Sequence, residues 1–158
     1  MPPPILFFGY GNPARGDDAL GPMLAEKLCR WVSEHDLESQ IEILTDFQLS
    51  PEHAYDLAGR ELVIFADAST KLTEPYHWQT LIPSEPVAWV SHASTPANLL
   101  WHCHTLLGNI PKASYILALQ GNTFELGETL SEIGQQALKL GWQQLHDFIC
   151  QHQSALIE

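Results

Sequence analysis

Residues 4–18 read Pro4-Ile5-Leu6-Phe7-Phe8-Gly9-Tyr10-Gly11-Asn12-Pro13-Ala14-Arg15-Gly16-Asp17-Asp18, and this stretch decides the fold. Residues 4–9 form an apolar run closed by glycine, the pattern of a strand buried on both faces. Residues 10–18 are a loop rich in turn formers. Leu20, Met23, Leu24, Leu28, Trp31 and Val32 then recur at spacings of three and four, which predicts a helix with one apolar stripe. Asp17 is placed to be its N-cap.

The alternation continues along the chain. Residues 41–44, 61–66 and 114–119 are further apolar strand candidates, and 76–82 and 87–90 add two more, separated by Pro83 and Pro86. Ser50-Pro51 opens a short helix to Ala58, and Thr95-Pro96 opens another to about Leu107. A last helix is expected from about Ser131 to residue 153, with Ile133, Ala137, Leu140, Leu145, Phe148 and Ile149 as its apolar face. This order predicts one α/β domain spanning 1–158, a three-layer sandwich with a mostly parallel twisted sheet flanked by helices. In such sheets ligands bind beyond the carboxyl ends of the strands, which selects the loops 10–18, 67–71 and 120–124.

Charge and cysteine usage narrow the function. The 158 residues include 19 acids against 7 Lys and Arg, for a formal net charge of −12. That charge repels phosphate backbones and anionic membranes, so no nucleic-acid or membrane partner is expected. Cys29, Cys103 and Cys150 are odd in number and form no CxxC, which suits reduced thiols in a cytoplasmic protein. Ile5–Phe8 is too short for a signal peptide, and no stretch reaches the ~18 apolar residues of a membrane span.

Several residues invite chemistry. Gly9-Tyr10-Gly11-Asn12 hints at a dinucleotide loop, but Pro13 and Arg15 crowd the glycines and two aspartates would face a pyrophosphate; Asp46 is the candidate ribose partner. One of Asp17 and Asp18 suffices to cap a helix, which leaves the other to point out of the loop. Asp67, straight after a buried strand, stands where functional groups gather. His92 lies at an element end rather than on an apolar face. Asp18, Asp67 and His92 would together offer two carboxylates and one imidazole, a mixed set suited to nickel, zinc or cobalt. In His102-Cys103-His104 the cysteine is read as core and the histidines as boundary residues, because helical residues two apart point in different directions. No GxSxG elbow, Cys–His constellation or HExxH is present to support a serine, cysteine or zinc protease.

Residues 5–22, with their strand, Gly9-x-Gly11-Asn12 loop, paired aspartates and Gly21, resemble the opening signature of the hydrogenase maturation proteases. Residues 61–68 resemble that family's second signature, Ser91-His92 before a Pro-led helix its third, and residues 114–131 its C-terminal segment. Gln48-Leu49-Ser50-Pro51-Glu52 is most similar to the branch serving NAD-linked, bidirectional hydrogenases. The resemblance implies a nickel-dependent endopeptidase, of the kind often classed with aspartyl proteases. Such an enzyme removes the C-terminal extension of a [NiFe]-hydrogenase large-subunit precursor after nickel insertion. It further implies that Asp18, Asp67 and His92 are catalytic and hold the metal, and that the nickel arrives with the substrate. The first ligand is commonly glutamate in the family; here it is the shorter Asp18, so either the loop sits closer to the metal or Asp17 takes the role. Two alternatives remain at this point. One is a docking chaperone that binds nickel and precursor without cutting. The other is a peptidyl-tRNA hydrolase-like enzyme, which Gly9-x-Gly11-Asn12-Pro13 resembles but which the acidic charge disfavours.

Overall fold

The computed structural model describes residues 2–87 and 94–157. Five strands form one sheet: β1 (Ile5–Tyr10), β2 (Ile41–Asp46), β3 (Leu62–Ser69), β4 (Tyr76–Thr80) and β5 (Ala113–Gln120). Their order is β2-β1-β3-β5-β4, parallel throughout except for β4, which runs antiparallel to β5 at the edge. The helices are α1 (Leu20–Glu34), α2 (Ala54–Leu57), α3 (Pro96–Leu107) and α4 (Glu132–Ile157).

The period-two alternation of the strands divides the core between the two faces. Ile5 and Phe7 of β1 and Leu62 and Ile64 of β3 pack with Leu24 and Leu28 of α1 and Leu145 and Ile149 of α4. Leu6 and Phe8, with Val63 and Phe65, pack against Leu57 of α2 and Leu99, Leu100 and Cys103 of α3. The result is the expected α/β sandwich, with α1 and α4 on one face and α2 and α3 on the other.

Three details differ from the sequence reading, and one more expected strand falls almost wholly outside the described residues. β3 does not end before Asp67 but continues to Ser69, because Asp67–Ser69 remain paired with Ala118–Gln120 of β5. β4 stops at Thr80, and residues 81–87 form no strand; Pro83 and Pro86 have no N–H to give a ladder. Of the strand expected over 87–90, all but Val87 lies outside the described residues. Ile133, assigned to the buried face of α4, is 40% exposed, and Leu138 takes a core place instead.

The chain order places a switch point at the sheet centre. β1 connects through α1 to β2 on one side, whereas β3 lies on the other side of β1. The β1–β3 ladder ends at Gly9–Ala66, one step short of Tyr10 and Asp67. A crevice therefore opens at the carboxyl ends of the two strands. Gly21 lets α1 sit directly over this junction: a Cβ there would stand 2.6 Å from the Tyr10 carbonyl oxygen and 2.7 Å from that of Ala66. Gly21→Ala is expected to lower stability by about 1–3 kcal/mol through overpacking, read as a lower urea midpoint at unchanged slope.

Candidate functional site

The loop after β1 folds as a single 3-10 turn, Gly16–Ala19, which sends its two adjacent acids to different places. Asp17 is fully buried and does not cap α1. Its Oδ2 accepts the N–H of Asn122 at 2.7 Å, the N–H of Thr123 at 3.1 Å and the Ser131 hydroxyl at 2.6 Å. Its Oδ1 accepts the Ser131 N–H at 2.9 Å. Burial alone would raise this carboxyl. The Ser131 hydroxyl and the three backbone donors outweigh burial and hold it below the usual carboxylate range. Ser131 in turn accepts the Gly134 N–H at 3.0 Å and so caps α4. Asp17 is thus the clamp between the first loop and the segment leading into α4, with both carboxylate oxygens engaged.

Asp18 is half-buried and differs from its neighbour. Its Oδ2 accepts the Asn12 N–H at 2.7 Å, and its Oδ1 accepts no hydrogen bond from a described residue. Asp67 lies across the crevice on β3 and is also partly buried. Its Oδ1 accepts the Ala68 N–H at 2.8 Å, and the Tyr10 hydroxyl donates to its carboxylate. Burial is the main reason the Asp67 carboxyl is pushed up to about 6; the bonds from Tyr10 and Ala68 oppose this, and the charge of Asp18 adds to it. The Tyr10 phenol is raised as well, first by its own burial and then by the Asp67 charge and hydrogen bond.

Tyr10 was not singled out from the sequence, yet the pattern contains the signal. Tyr10 continues the Leu6–Phe8 alternation and Asp67 the Val63–Phe65 alternation, so both side chains project from the same sheet face at the same level. Asp18 and Asp67 are near enough for the charge of one to act on the carboxyl of the other. His92 lies outside the described residues. Among the described residues no group of three His, Cys, Asp or Glu gathers around one point, so Asp18 and Asp67 stand as a pair of donors. Their chemistry suits a divalent cation: two hard oxygen donors in a partly dry crevice, one destabilised by the other's charge and neither paired with a described Lys, Arg or His.

The remaining candidates have other occupations. Asp46 accepts the Phe47 N–H at 2.7 Å and lies 3.2 Å from His53 Nε2. His53 Nδ1 accepts the Ser50 N–H at 2.9 Å, so it is not a free base facing the Ser50 hydroxyl, and the series Asp46–His53–Ser50 is a helix-capping arrangement. Cys103 is buried in α3, with its thiol 3.5 Å from the Asn109 carbonyl oxygen. Beside the first loop, Gly11, Pro13, Pro22, Thr45, Asp46 and Phe47 line a cleft of about 300 Å³.

No protein-family model matches the chain, and a comparison with curated proteins gives no match. Comparison with solved structures does give matches. The hydrogenase maturating endopeptidase HybD from E. coli superposes with a TM-score of 0.70 at 21% identity, over 96% of this chain and 94% of that one. An endopeptidase from Escherichia coli, solved in solution, gives a TM-score of 0.66 at 22% identity over 92% and 90%. The [NiFe] hydrogenase maturation protease HycI from Thermococcus kodakarensis KOD1 gives 0.62 at 23% identity over 87% and 86%. Coverage is near complete in both directions, and the chain has the fold of the hydrogenase maturation endopeptidases.

Proposed function

We propose that the protein is an endopeptidase that removes the C-terminal extension of a [NiFe]-hydrogenase large-subunit precursor once nickel has been inserted. The observation that carries this reading is the convergence of Asp18 and Asp67 at the β1–β3 switch point of a fold shared with such endopeptidases. Asp18, Asp67 and His92 would hold the nickel of the precursor, with nitrogen from the imidazole and oxygen from the carboxylates. When bound, that ion supplies Lewis-acid polarisation and a fixed reference point for the scissile segment.

The protein's own residues do the rest. Asn12 holds Asp18 by donating its N–H to Oδ2, and Oδ1 would be the oxygen offered to the ion. Tyr10 and Ala68 hold the Asp67 carboxylate by donating to it, and the buried phenol remains protonated and able to do so. Asp17 takes no part in metal binding, because its oxygens are committed to Asn122, Thr123 and Ser131. The partner is the large-subunit precursor, and the setting is the cytoplasm, where that precursor is assembled.

The test is to incubate the protein with nickel-loaded and nickel-free precursor and to measure the large-subunit mass. The expected result is a C-terminally shortened subunit from the loaded precursor alone. Full-length subunit with nickel confirmed in place would overturn the proposal.

A further inference from the structure

The last helix carries a pair of soft donors that the chemistry above leaves unused. His146 and Cys150 stand one turn apart on α4 and so share a face. His146 Nε2 lies 3.7 Å from Cys150 Sγ. Both side chains are half-buried, within reach of a small solute. α4 packs on the α1 side of the sheet, whereas Asp67 projects from the α2–α3 side. The pair therefore stands apart from Asp18 and Asp67.

The surroundings fix the imidazole. Its Nδ1 is 3.3 Å from the Asp147 carboxylate, which favours the proton on Nδ1 and leaves the Nε2 lone pair facing the thiol. A carboxylate behind one ring nitrogen, with a second donor beside the other, is the arrangement that metal-ligating histidines take. Trp31 of α1 makes a T-shaped contact with the ring at 5.3 Å between centroids, and Trp142, one turn back on α4, lies at 5.7 Å. Burial and the charge of Asp147 push the Cys150 thiol up. A thiol held protonated is a poor nucleophile, whereas a bound soft cation displaces the proton.

The donor set selects the ion. Thiolate sulfur and imidazole nitrogen favour copper(I) and zinc over magnesium, calcium or manganese. Zinc asks for four ligands, and no third His, Cys, Asp or Glu joins the pair among the described residues. Copper(I) is satisfied by two. Metal–sulfur and metal–nitrogen bonds of about 2.3 and 2.1 Å reach across at most about 4.4 Å. One ion therefore bridges the 3.7 Å between Sγ and Nε2 with the helix in place. We propose that His146 and Cys150 bind one copper(I) ion, releasing the thiol proton to solvent, with Asp147 as the positioning residue behind the imidazole. The proposal is independent of the peptidase reading.

An oxygen-free titration of the full chain tests it, with copper(I) supplied as its acetonitrile complex in competition with bicinchoninate. The wild type is expected to hold one equivalent, with quenched tryptophan fluorescence and a sulfur-to-copper absorption band in the near ultraviolet. Cys150→Ser and His146→Gln should each weaken binding at least about hundredfold, and Asp147→Asn about tenfold, with unchanged circular dichroism. Cys29→Ser removes the exposed thiol and should leave the titration as it is. Zinc and nickel(II), titrated in the same way, should bind at least about hundredfold more weakly. A wild type that holds no equivalent overturns the proposal. So does binding that survives Cys150→Ser or His146→Gln, that is lost with Cys29, or that prefers zinc or nickel(II).

Discussion

Asp17→Ala is expected to destabilise the protein by about 3–5 kcal/mol, although the residue touches no ligand. Asp17 is fully buried, and its removal leaves the N–H groups of Asn122, Thr123 and Ser131 and the Ser131 hydroxyl without their acceptor. The Ser131 cap on α4 loosens with it. Because the next residue is Asp18, the same change releases the turn that aims the candidate metal ligand, so processing should fall further than stability alone dictates. The pH dependence has a definite sign. The Asp17 carboxyl is lowered from 3.8 in the native state. Its contribution is therefore present above the unfolded value and is lost as pH falls through the lowered native one. Asp17→Asn should flatten the acid limb of the stability profile, measured by urea unfolding between neutral pH and pH ~2.5. An unchanged acid limb would contradict the role given to this carboxylate.

Asp67→Asn is expected to do the opposite for stability while abolishing processing. The Asp67 carboxyl is raised from 3.8 to about 6, so above that value the folded state keeps a carboxylate charged where it is disfavoured. Between the unfolded and folded values the native state binds the extra proton, and wild-type stability rises as pH falls. The amide should therefore stabilise the protein by about 1–2 kcal/mol at pH 7, and the gain should fade as pH drops below 6 towards 4. Paired urea titrations of wild type and variant at pH 7 and pH 4 check this. A variant less stable than wild type at pH 7 would mean that the carboxylate is well solvated or matched by a cation. A stabilised but inactive variant is the signature of a functional group held against its own preference.

The fold was legible because its main signals are local. Ile5–Phe8, Leu62–Ala66 and the stripe of α1 each state their own burial, and the order of strands and helices leaves few topologies. Asp67 was legible for the same reason, as an acid at the end of an apolar run. The division of labour between Asp17 and Asp18 was not. It depends on a 3-10 turn and on donors from Asn122, Thr123 and Ser131, more than a hundred positions away in sequence. Adjacent identical residues carry no local mark of which one turns inward. Tyr10 needed the β1–β3 register to be seen as the partner of Asp67. Ile133 is exposed because the buried side of the first turn of α4 is taken by its neighbour Gly134, which packs against the Asp17 carboxylate. The cap of Ser131 on Gly134 marks that end.

The most direct measurement is a time course of large-subunit mass with nickel-loaded precursor, comparing wild type with Asp18→Asn and Asp67→Asn. The account predicts complete C-terminal shortening by the wild type and a rate reduced at least about hundredfold in each variant, as expected when a metal-site carboxylate is lost. Wild-type rates in both variants would contradict it.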